Sequence, residues 1–193
     1  MQTSARGIAS AILAGGDSLR FGEDKAFARA QDSTFLEHVR DVLTSACTPP
    51  IVVGRPPIPD LRSGVGPLGG LETALTLLPE DADYLLLAAV DMPGLSASLV
   101  RCLVAAADAD VVVPFYDERL HPLCARWHKR ALPIVSRTLD QGKRSVHAVL
   151  DQLEVLRITE AEFLRSGVHD VGRALSNINV PSDLHSFVSE RRS

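Results

Sequence analysis

Short apolar runs alternate along this chain with segments in which apolar residues recur every three or four positions. The runs predict buried strands, and the segments with helical spacing predict amphipathic helices. The predicted strands cover residues 7–13, 51–53, 84–90, 111–115, 121–127 and 155–158. The first predicted helix starts at Ser33 or Thr34, others cover 68–78, 99–107, 130–139 and 146–153, and a last one follows Pro181. This alternation predicts a three-layer α/β domain with a mostly parallel sheet.

Two loops lie where a sheet of this kind binds ligands, which is beyond the carboxyl ends of its strands. The first loop follows Leu13, and the second follows Val90 at the end of the most apolar run in the chain. A run that is apolar without alternation is typical of a central strand buried on both faces. We therefore expect the functional residues at these two strand ends.

The composition is typical of a globular protein. The chain has 193 residues, 46% of them hydrophobic and 23% charged, which fits a single domain over residues 1–193. The net charge of -4 argues against nucleic acid as a partner. No apolar stretch approaches the ~20 residues of a membrane span. Three distant cysteines without a CxxC pair are typical of reduced thiols, so we expect a cytoplasmic protein with no membrane partner.

The first loop, Leu13–Lys25, combines three glycines with two cations. Glycines let backbone N–H groups approach phosphate oxygens, and Arg20 and Lys25 are suited to neutralise a triphosphate. A solvated surface loop between a strand and a helix has the same composition. The loop matches neither GxxxxGK[ST] nor GxGxxG, which argues against a P-loop and a Rossmann dinucleotide site.

The second loop begins with Asp91, directly after the apolar run. A carboxylate at the end of a buried strand is costly unless it is paired or holds a cation. Mg2+ is typically held by one or two carboxylates together with substrate phosphates. We therefore favour Asp91 as a Mg2+ ligand over the alternative of a helix or turn cap.

Other candidate residues have weaker signals. Gly66 precedes a predicted helix. A glycine at this position either exposes free N–H groups of the helix to an anion or base edge, or allows the helix to pack closely on the sheet. Asp60 lies in the Pro- and Gly-rich loop 54–66, where it either accepts hydrogen bonds from guanine or is solvated. Six polar residues are candidates for binding an anionic acceptor: Arg119, His121, Lys143, Arg144, Asn177 and Asn179. Each of them could equally be an ordinary surface residue.

Taken together, the motifs resemble those of the nucleotidyltransferases in the molybdenum cofactor guanylyltransferase family, MobA-like enzymes. The first motif is Leu13-Ala14-Gly15-Gly16 followed by Ser18, Arg20, Gly22 and Asp24-Lys25. Later motifs of the family have counterparts, in order, in Gly66-Pro67-Leu68-Gly69-Gly70, Asp91-Met92-Pro93, Arg119–Leu123, Gly142–Val146 and Asn177–Leu184. The resemblance runs through nearly the whole chain.

The resemblance implies a Rossmann-like sheet of the nucleotide-diphospho-sugar transferase type and a Mg2+-dependent reaction. GTP and molybdenum-bound molybdopterin would give the guanine dinucleotide form and pyrophosphate, with molybdopterin-handling proteins and recipient molybdoenzymes as candidate partners. The expected GTP-binding residues are Leu13, Ala14, Gly15, Gly16, Lys25, Asp60, Gly66 and Asp91. Arg20, Lys25 and Asp91 are the expected catalytic residues, with Mg2+ on Asp91. The acceptor would contact Arg119, His121, Arg144, Asn177 and Asn179.

Two alternatives remain open at this stage. A cytidylyltransferase for the same acceptor, or a sugar-phosphate nucleotidyltransferase, would keep the chemistry and change the substrates. Gly15 gives LAGG where those relatives resemble LAAG or LxAGxGTR, which favours guanine, and the missing Cβ would leave room for the larger base. Gly54 stands where some family members have an asparagine that helps to bind nucleotide. A non-catalytic nucleotide-binding module is the second alternative, and Arg20, Lys25 and Asp91 count against it.

Overall fold

A computed structural model describes residues 7–15, 25–30 and 33–178. The strands are β1 (Gly7–Leu13), β2 (Arg29–Ala30), β3 (Ser33–Thr34), β4 (Ile51–Val53), β5 (Ala82–Ala89), β6 (Val111–Tyr116), β7 (Arg119–Leu120), β8 (Cys124–His128) and β9 (Val155–Thr159). The helices are α1 (Phe35–Ala46), α2 (Pro67–Thr76), α3 (Ala97–Ala105), α4 (Leu132–Asp140), α5 (His147–Leu150), α6 (Glu160–Arg165) and α7 (Val171–Leu175). Short 3-10 turns cover Lys25–Phe27 and Lys129–Ala131. In this part of the chain no helix has the length and apolar character needed to cross a membrane.

Seven of the described strands form one sheet in the order β4-β1-β5-β8-β6-β7, with β9 beside β6. Strands β4, β1, β5, β6 and β9 run in one direction, and β7 and β8 run in the opposite direction. The mostly parallel sheet is therefore confirmed. The chain reverses between β6 and β7 at Asp117 and Glu118, whose φ angles of 51° and 55° are those of a tight hairpin turn. This reversal leads β8 back antiparallel between β5 and β6, which strand-helix alternation did not predict.

Alternate side chains of the sheet enter two separate hydrophobic cores. In β5, Leu86 and Ala88 pack in one core, and Leu85 and Leu87 pack in the other. Buried residues of α1, α3, α6 and α7 complete the first core, whereas those of α2, α4 and α5 complete the second. Strands that are apolar on both faces are the mark of a sheet covered by helices on both sides. The predicted three-layer α/β/α arrangement is confirmed.

Helix boundaries follow local capping chemistry. Thr34 caps α1, because its hydroxyl accepts the Glu37 N–H while the Glu37 carboxylate accepts the Thr34 N–H. The helix thus begins where the sequence predicts. The helix predicted over 146–153 is wrong in length, because only the single turn α5 forms before the chain turns toward β9. One turn and two turns share the same apolar spacing.

Two further differences concern short elements. Strand β8 begins at Cys124 rather than at residue 121. Helices α6 and α7 were not predicted, because in each a stretch of five or six residues carries too few apolar positions to define a period. The helix predicted after Pro181 lies outside the described residues.

A buried arginine joins the C-terminal end of α3 to the sheet. It lies at the end of the sheet opposite to Leu13 and Val90. Arg126 of β8 is only 3% exposed. Its guanidinium donates hydrogen bonds to the carbonyl oxygens of Val104 (2.8 Å), Ala106 (2.9 Å) and Ala107, at the end of α3. It also lies 4.6 Å from the centroid of the Tyr84 ring. A cation at a helix C-terminus is favoured by the helix dipole and satisfies carbonyl groups that have no partner within the helix.

We predict that Arg126→Ala lowers the free energy of unfolding by about 3 kcal/mol, because three carbonyl groups lose their donor. Urea denaturation measures this change. The matched control is Arg101→Ala, which removes an exposed arginine of α3. This variant should change stability by less than about 0.5 kcal/mol. Equal unfolding midpoints for the two variants would contradict this role of Arg126.

Candidate active site

Three loops meet at one edge of the sheet. The Val90 N–H donates to the Leu13 carbonyl oxygen (3.0 Å), and the Ala14 N–H donates to the Val53 carbonyl oxygen (2.9 Å). These bonds continue the parallel pairing beyond the strands and hold the loops after β1, β4 and β5 side by side. From β1 the chain passes first to β4 and then returns to β5 on the other side. Such a change of direction is the place where α/β sheets open a ligand crevice.

A cavity of about 750 Å³ occupies this crevice. Six of the predicted nucleotide-binding residues line it: Leu13, Ala14, Gly15, Asp60, Gly66 and Asp91. The structure therefore brings together residues from three separate parts of the sequence. Further residues of the cavity wall were not predicted as nucleotide contacts. They include Ala26, Gly54, Pro59, Ser63, Gly64, Gly70 and Leu123. Most belong to the Pro- and Gly-rich loop 54–66, whose composition signals a loop and does not show which residues face a ligand.

A second cavity, of about 300 Å³, adjoins the first, since Pro67 and Leu123 line both. Three predicted acceptor residues face it: His121, Arg144 and Asn177. The remaining wall is formed by Met92, Pro122, Cys124, Ser145, Val146 and His147. An apolar cavity with a few polar groups at its edge is the usual form of a small-molecule site.

Several predicted residues are not in these two groups. Arg119 lines neither cavity; its side chain is 71% exposed and pairs with Asp117 at 3.0 Å. Lys143 is exposed and also lines neither cavity. Three predicted residues, Gly16, Arg20 and Asn179, lie outside the described part of the chain. The backbone of Lys25 begins a 3-10 turn, and the next residue, Ala26, lines the larger cavity.

Asp60 has an unusual environment at the wall of the larger cavity. Its Oδ1 atom is buried and has no hydrogen-bond partner among the described residues. A Cβ built on Gly54 would lie 3.4 Å from this oxygen, and one built on Gly70 would lie 3.5 Å from it. Desolvation raises the pKa of Asp60 above its usual range. A buried carboxylate oxygen without a donor is costly, and a ligand with N–H groups would satisfy it.

Asp91 follows the carboxyl end of β5 and lines the same cavity. Its backbone carbonyl accepts the Ile178 N–H (2.9 Å), which ties the chain after α7 to this loop. In residues 7–15, 25–30 and 33–178, no three His, Cys, Asp or Glu side chains form a metal-binding group. A carboxylate at a cavity wall fits a Mg2+ ion that takes its other ligands from substrate phosphates and water.

His121 differs from the cationic residues of the second cavity. It is half-buried, and its Nε2 atom lies 3.4 Å from the Tyr116 carbonyl oxygen. Burial lowers the pKa of His121 below its usual range. The imidazole is therefore neutral at physiological pH, and Arg144 is the permanent positive charge among the described residues of this cavity.

Two glycines allow the ends of β1 and β4 to approach each other. Gly54 has a φ of +88°, and a Cβ built on it would lie 2.6 Å from the N and Cα atoms of Gly15. A Cβ on Gly15 would lie 3.0 Å from the Gly54 Cα atom. The space left by the missing Gly15 side chain is thus occupied by the neighbouring backbone. An asparagine at position 54 would therefore not fit this backbone arrangement.

We predict that Gly54→Ala lowers the free energy of unfolding by about 2 kcal/mol more than Gly167→Ala does. Both glycines have a positive φ, but a Cβ on Gly167 meets nothing within 4 Å, whereas one on Gly54 overlaps Gly15. The difference therefore isolates the close backbone approach from the cost of the left-handed conformation. Urea denaturation of the two variants gives the comparison, and equal losses would show that the approach is not tight.

Comparisons with known proteins show the family to which the chain belongs. Residues 10–156 match the family model of the MobA-like NTP transferase domain. The chain is 31% identical to a molybdenum cofactor guanylyltransferase of Desulfosudis oleivorans, over 79% of this chain and 81% of that protein. It is 33% identical to a probable molybdenum cofactor guanylyltransferase of Mycobacterium avium, over 95% and 96%. The crystal structure of molybdopterin-guanine dinucleotide biosynthesis protein A from Archaeoglobus fulgidus is similar with a TM-score of 0.77 and 25% identity, over 95% of this chain and 98% of that chain. The chain belongs to the family of MobA-like NTP transferase domains and is a nucleotidyltransferase.

Proposed function

We propose that this enzyme transfers GMP from GTP to molybdenum-bound molybdopterin, with Mg2+, and releases pyrophosphate. The names of the relatives support this choice of substrates. The observation that carries the proposal is that one cavity contains two carboxylates. Asp60 has a buried oxygen without a donor among the described residues, and Asp91 lies at a strand end. The first suits the base of the nucleotide, and the second suits its phosphates and their metal.

The chemistry of Asp60 favours guanine over other bases. An ionised carboxylate is an acceptor only. Guanine presents two adjacent donors on one edge, N1–H and the 2-amino group. Cytosine and adenine each place a ring nitrogen acceptor beside their amino group, and that acceptor would face the carboxylate with the same sign of charge. A desolvated carboxylate strengthens this discrimination, because neither partner is screened by water.

The loop after β1 would bind the triphosphate. Gly15 lies at the cavity wall, and in this proposal backbone N–H groups of the loop donate to phosphate oxygens. The acceptor's terminal phosphate oxygen attacks the α-phosphorus of GTP, the bond from that phosphorus to the bridging oxygen breaks, and pyrophosphate leaves. Arg20 and Lys25 would stabilise the charge that develops on the pyrophosphate. No covalent enzyme intermediate is needed, so positioning and charge neutralisation supply the catalysis.

Asp91 would hold Mg2+ in this scheme. When bound, the ion would neutralise phosphate charge. The hydrogen bond from Ile178 to the Asp91 carbonyl fixes the backbone of the loop that carries this carboxylate. Asn177, the preceding residue, lines the second cavity. The site proposed for the metal and the site proposed for the acceptor therefore share one backbone contact.

The second cavity would bind the acceptor. Met92, Pro122 and Val146 provide an apolar wall for a flat heterocycle, and Arg144 provides a permanent charge for a phosphate. His121, with its lowered pKa, contributes a neutral imidazole that donates or accepts a hydrogen bond. Because this cavity shares Pro67 and Leu123 with the larger one, an acceptor bound here lies next to a nucleotide bound there.

We predict that pyrophosphate release with molybdopterin as acceptor is at least tenfold faster with GTP than with CTP, which corresponds to a difference of about 1.4 kcal/mol or more. The assay uses purified enzyme, Mg2+ and each nucleotide at equal concentration. Faster release with CTP would identify a cytidylyltransferase. Nucleotide binding without release would identify a non-catalytic module.

We predict that Asp91→Ala lowers the rate of pyrophosphate release about a thousandfold while the protein remains folded. The matched control is Asp83→Ala, at the beginning of the same strand β5, where the carboxylate pairs with Lys129 at 2.7 Å. That variant should retain the rate of the unmodified enzyme. If purified Asp91→Ala released pyrophosphate at the normal rate, the metal assignment would be wrong.

We predict that Asp60→Asn weakens GTP binding between about tenfold and a hundredfold at neutral pH, because a charged acceptor is lost. In the unmodified enzyme GTP affinity should fall as the pH drops through the raised pKa of Asp60, since protonation removes the acceptor. The variant should lack this pH dependence and should not unfold more easily, because the desolvated charge is gone. Isothermal titration calorimetry at a series of pH values from neutrality downward tests the affinity and its pH dependence, and urea denaturation tests the stability. A pH dependence retained by the variant would exclude Asp60 as its source.

A further inference from the structure

The loop that carries Asp60 is fastened to two helices by one side chain, Arg62. Its Nε and Nη2 atoms donate to both carboxylate oxygens of Glu72 in α2, at 2.8 Å and 3.0 Å. Its Nη1 atom donates to Asp140, the last residue of α4, at 2.7 Å. Glu72 is 4% exposed. A bidentate guanidinium-carboxylate pair of this kind fixes direction as well as distance.

Two glycines of this loop lie in open space. Gly64 and Gly66 both have a positive φ, and a Cβ on either would meet nothing within 4 Å, so neither position is packed. The Leu61 N–H donates to the Thr73 hydroxyl at 2.9 Å, which is a second attachment to α2. On this loop Asp60 keeps a buried oxygen without a donor among the described residues, and a mobile loop would turn that oxygen to solvent.

We propose that Arg62 is a positioning residue for guanine recognition: its ion pairs with Glu72 and Asp140 fix the loop that carries Asp60. The proposal rests on the proposed function, in which Asp60 accepts from the guanine edge. Arg62 does not line the cavity, so it acts through the loop rather than by touching the nucleotide. Arg62 also holds the end of α4, from which the chain continues to Arg144 in the second cavity.

An arginine with similar ion pairs lies at the opposite end of the sheet. Its replacement shows whether an effect comes from the position of the loop or from general stability. Arg130 pairs with Asp110 and Asp108, and its side chain is 42% exposed compared with 36% for Arg62. It follows β8 near the start of β5 and lines neither cavity. Arg130→Ala is therefore a matched control that removes a similar ion pair without touching the loop.

The test compares binding of GTP and ITP, which lacks the 2-amino group of guanine. Arg62→Ala alone would leave the buried Glu72 charge without its partner and so endanger folding. The double variant Arg62→Ala/Glu72→Gln removes both charges and keeps the proposal testable. Arg62→Lys keeps one charge but cannot donate in a fork to Glu72 and also reach Asp140.

We expect the double variant to bind GTP about tenfold more weakly while ITP affinity changes less than threefold, so that the preference for GTP falls. Calorimetry with Mg2+ gives the dissociation constants, and thermal melting confirms that each variant is folded. Arg62→Lys should show an intermediate loss, and Arg130→Ala should keep the full preference. In the pyrophosphate assay, the KM for GTP should rise and kcat should change by less than about twofold.

Two failures are distinguishable. If the unmodified enzyme prefers GTP and the folded Arg62 variants keep that preference, Arg62 has no positioning role and the proposed function stands. A loss of preference that is equally large in Arg130→Ala would also overturn the proposal, because it would reflect general loosening of the fold. If the unmodified enzyme binds GTP and ITP equally, Asp60 does not accept from the guanine 2-amino group, and the role of Arg62 in positioning Asp60 for that contact is wrong as well.

Discussion

The backbone hydrogen bonds that extend the sheet beyond β1 are the constraint on which the site depends. Val90 donates to Leu13, and Ala14 donates to Val53, so that three loops leave the sheet at the same level. The approach of Gly15 to Gly54 completes this edge, because no other residue type leaves room for both backbones. Without these contacts, the carboxylates of Asp60 and Asp91 would have no common cavity.

The burial of Asp60 in the cavity wall lowers the stability of the folded protein. Asp60 has a raised pKa and a buried oxygen without a donor among the described residues, which disfavours the folded state at neutral pH. The structure offsets such costs elsewhere, with two hydrophobic cores and with the hydrogen bonds of Arg126 at the far end of the sheet. A stable distal end and a costly cavity wall are the expected division if, as proposed, Asp60 must remain unsatisfied until substrate binds.

The sequence predicts the layers well because their signal is local. Apolar runs and helical spacing locate β1, β4, β5, α1 and α3, and the rule about strand ends brings Leu13, Gly15 and Asp91 to one place. The antiparallel return of β8 was not predictable in this way, since it follows from a two-residue reversal at Asp117 and Glu118. Aspartate is common in such turns, but Glu118 does not mark the turn as a glycine would.

The ion pairs of Arg62 also could not be predicted from the sequence. Arg62 and Asp140 are 78 positions apart and meet only because α2 and α4 cover the same face of the sheet. The desolvation of Asp60 likewise depends on Gly54 and Gly70, which come from different elements. Resemblance to a family suggests which residues matter, but the physical state of each carboxylate depends on distant neighbours.

A crystal structure with GTP and Mn2+ in place of Mg2+ tests the central claim most directly. We predict that the guanine edge lies against the Asp60 carboxylate, that the triphosphate lies along the loop after β1, and that metal density lies beside Asp91. A nucleotide bound with its base away from Asp60, or with its phosphates and metal outside the larger cavity, would contradict it.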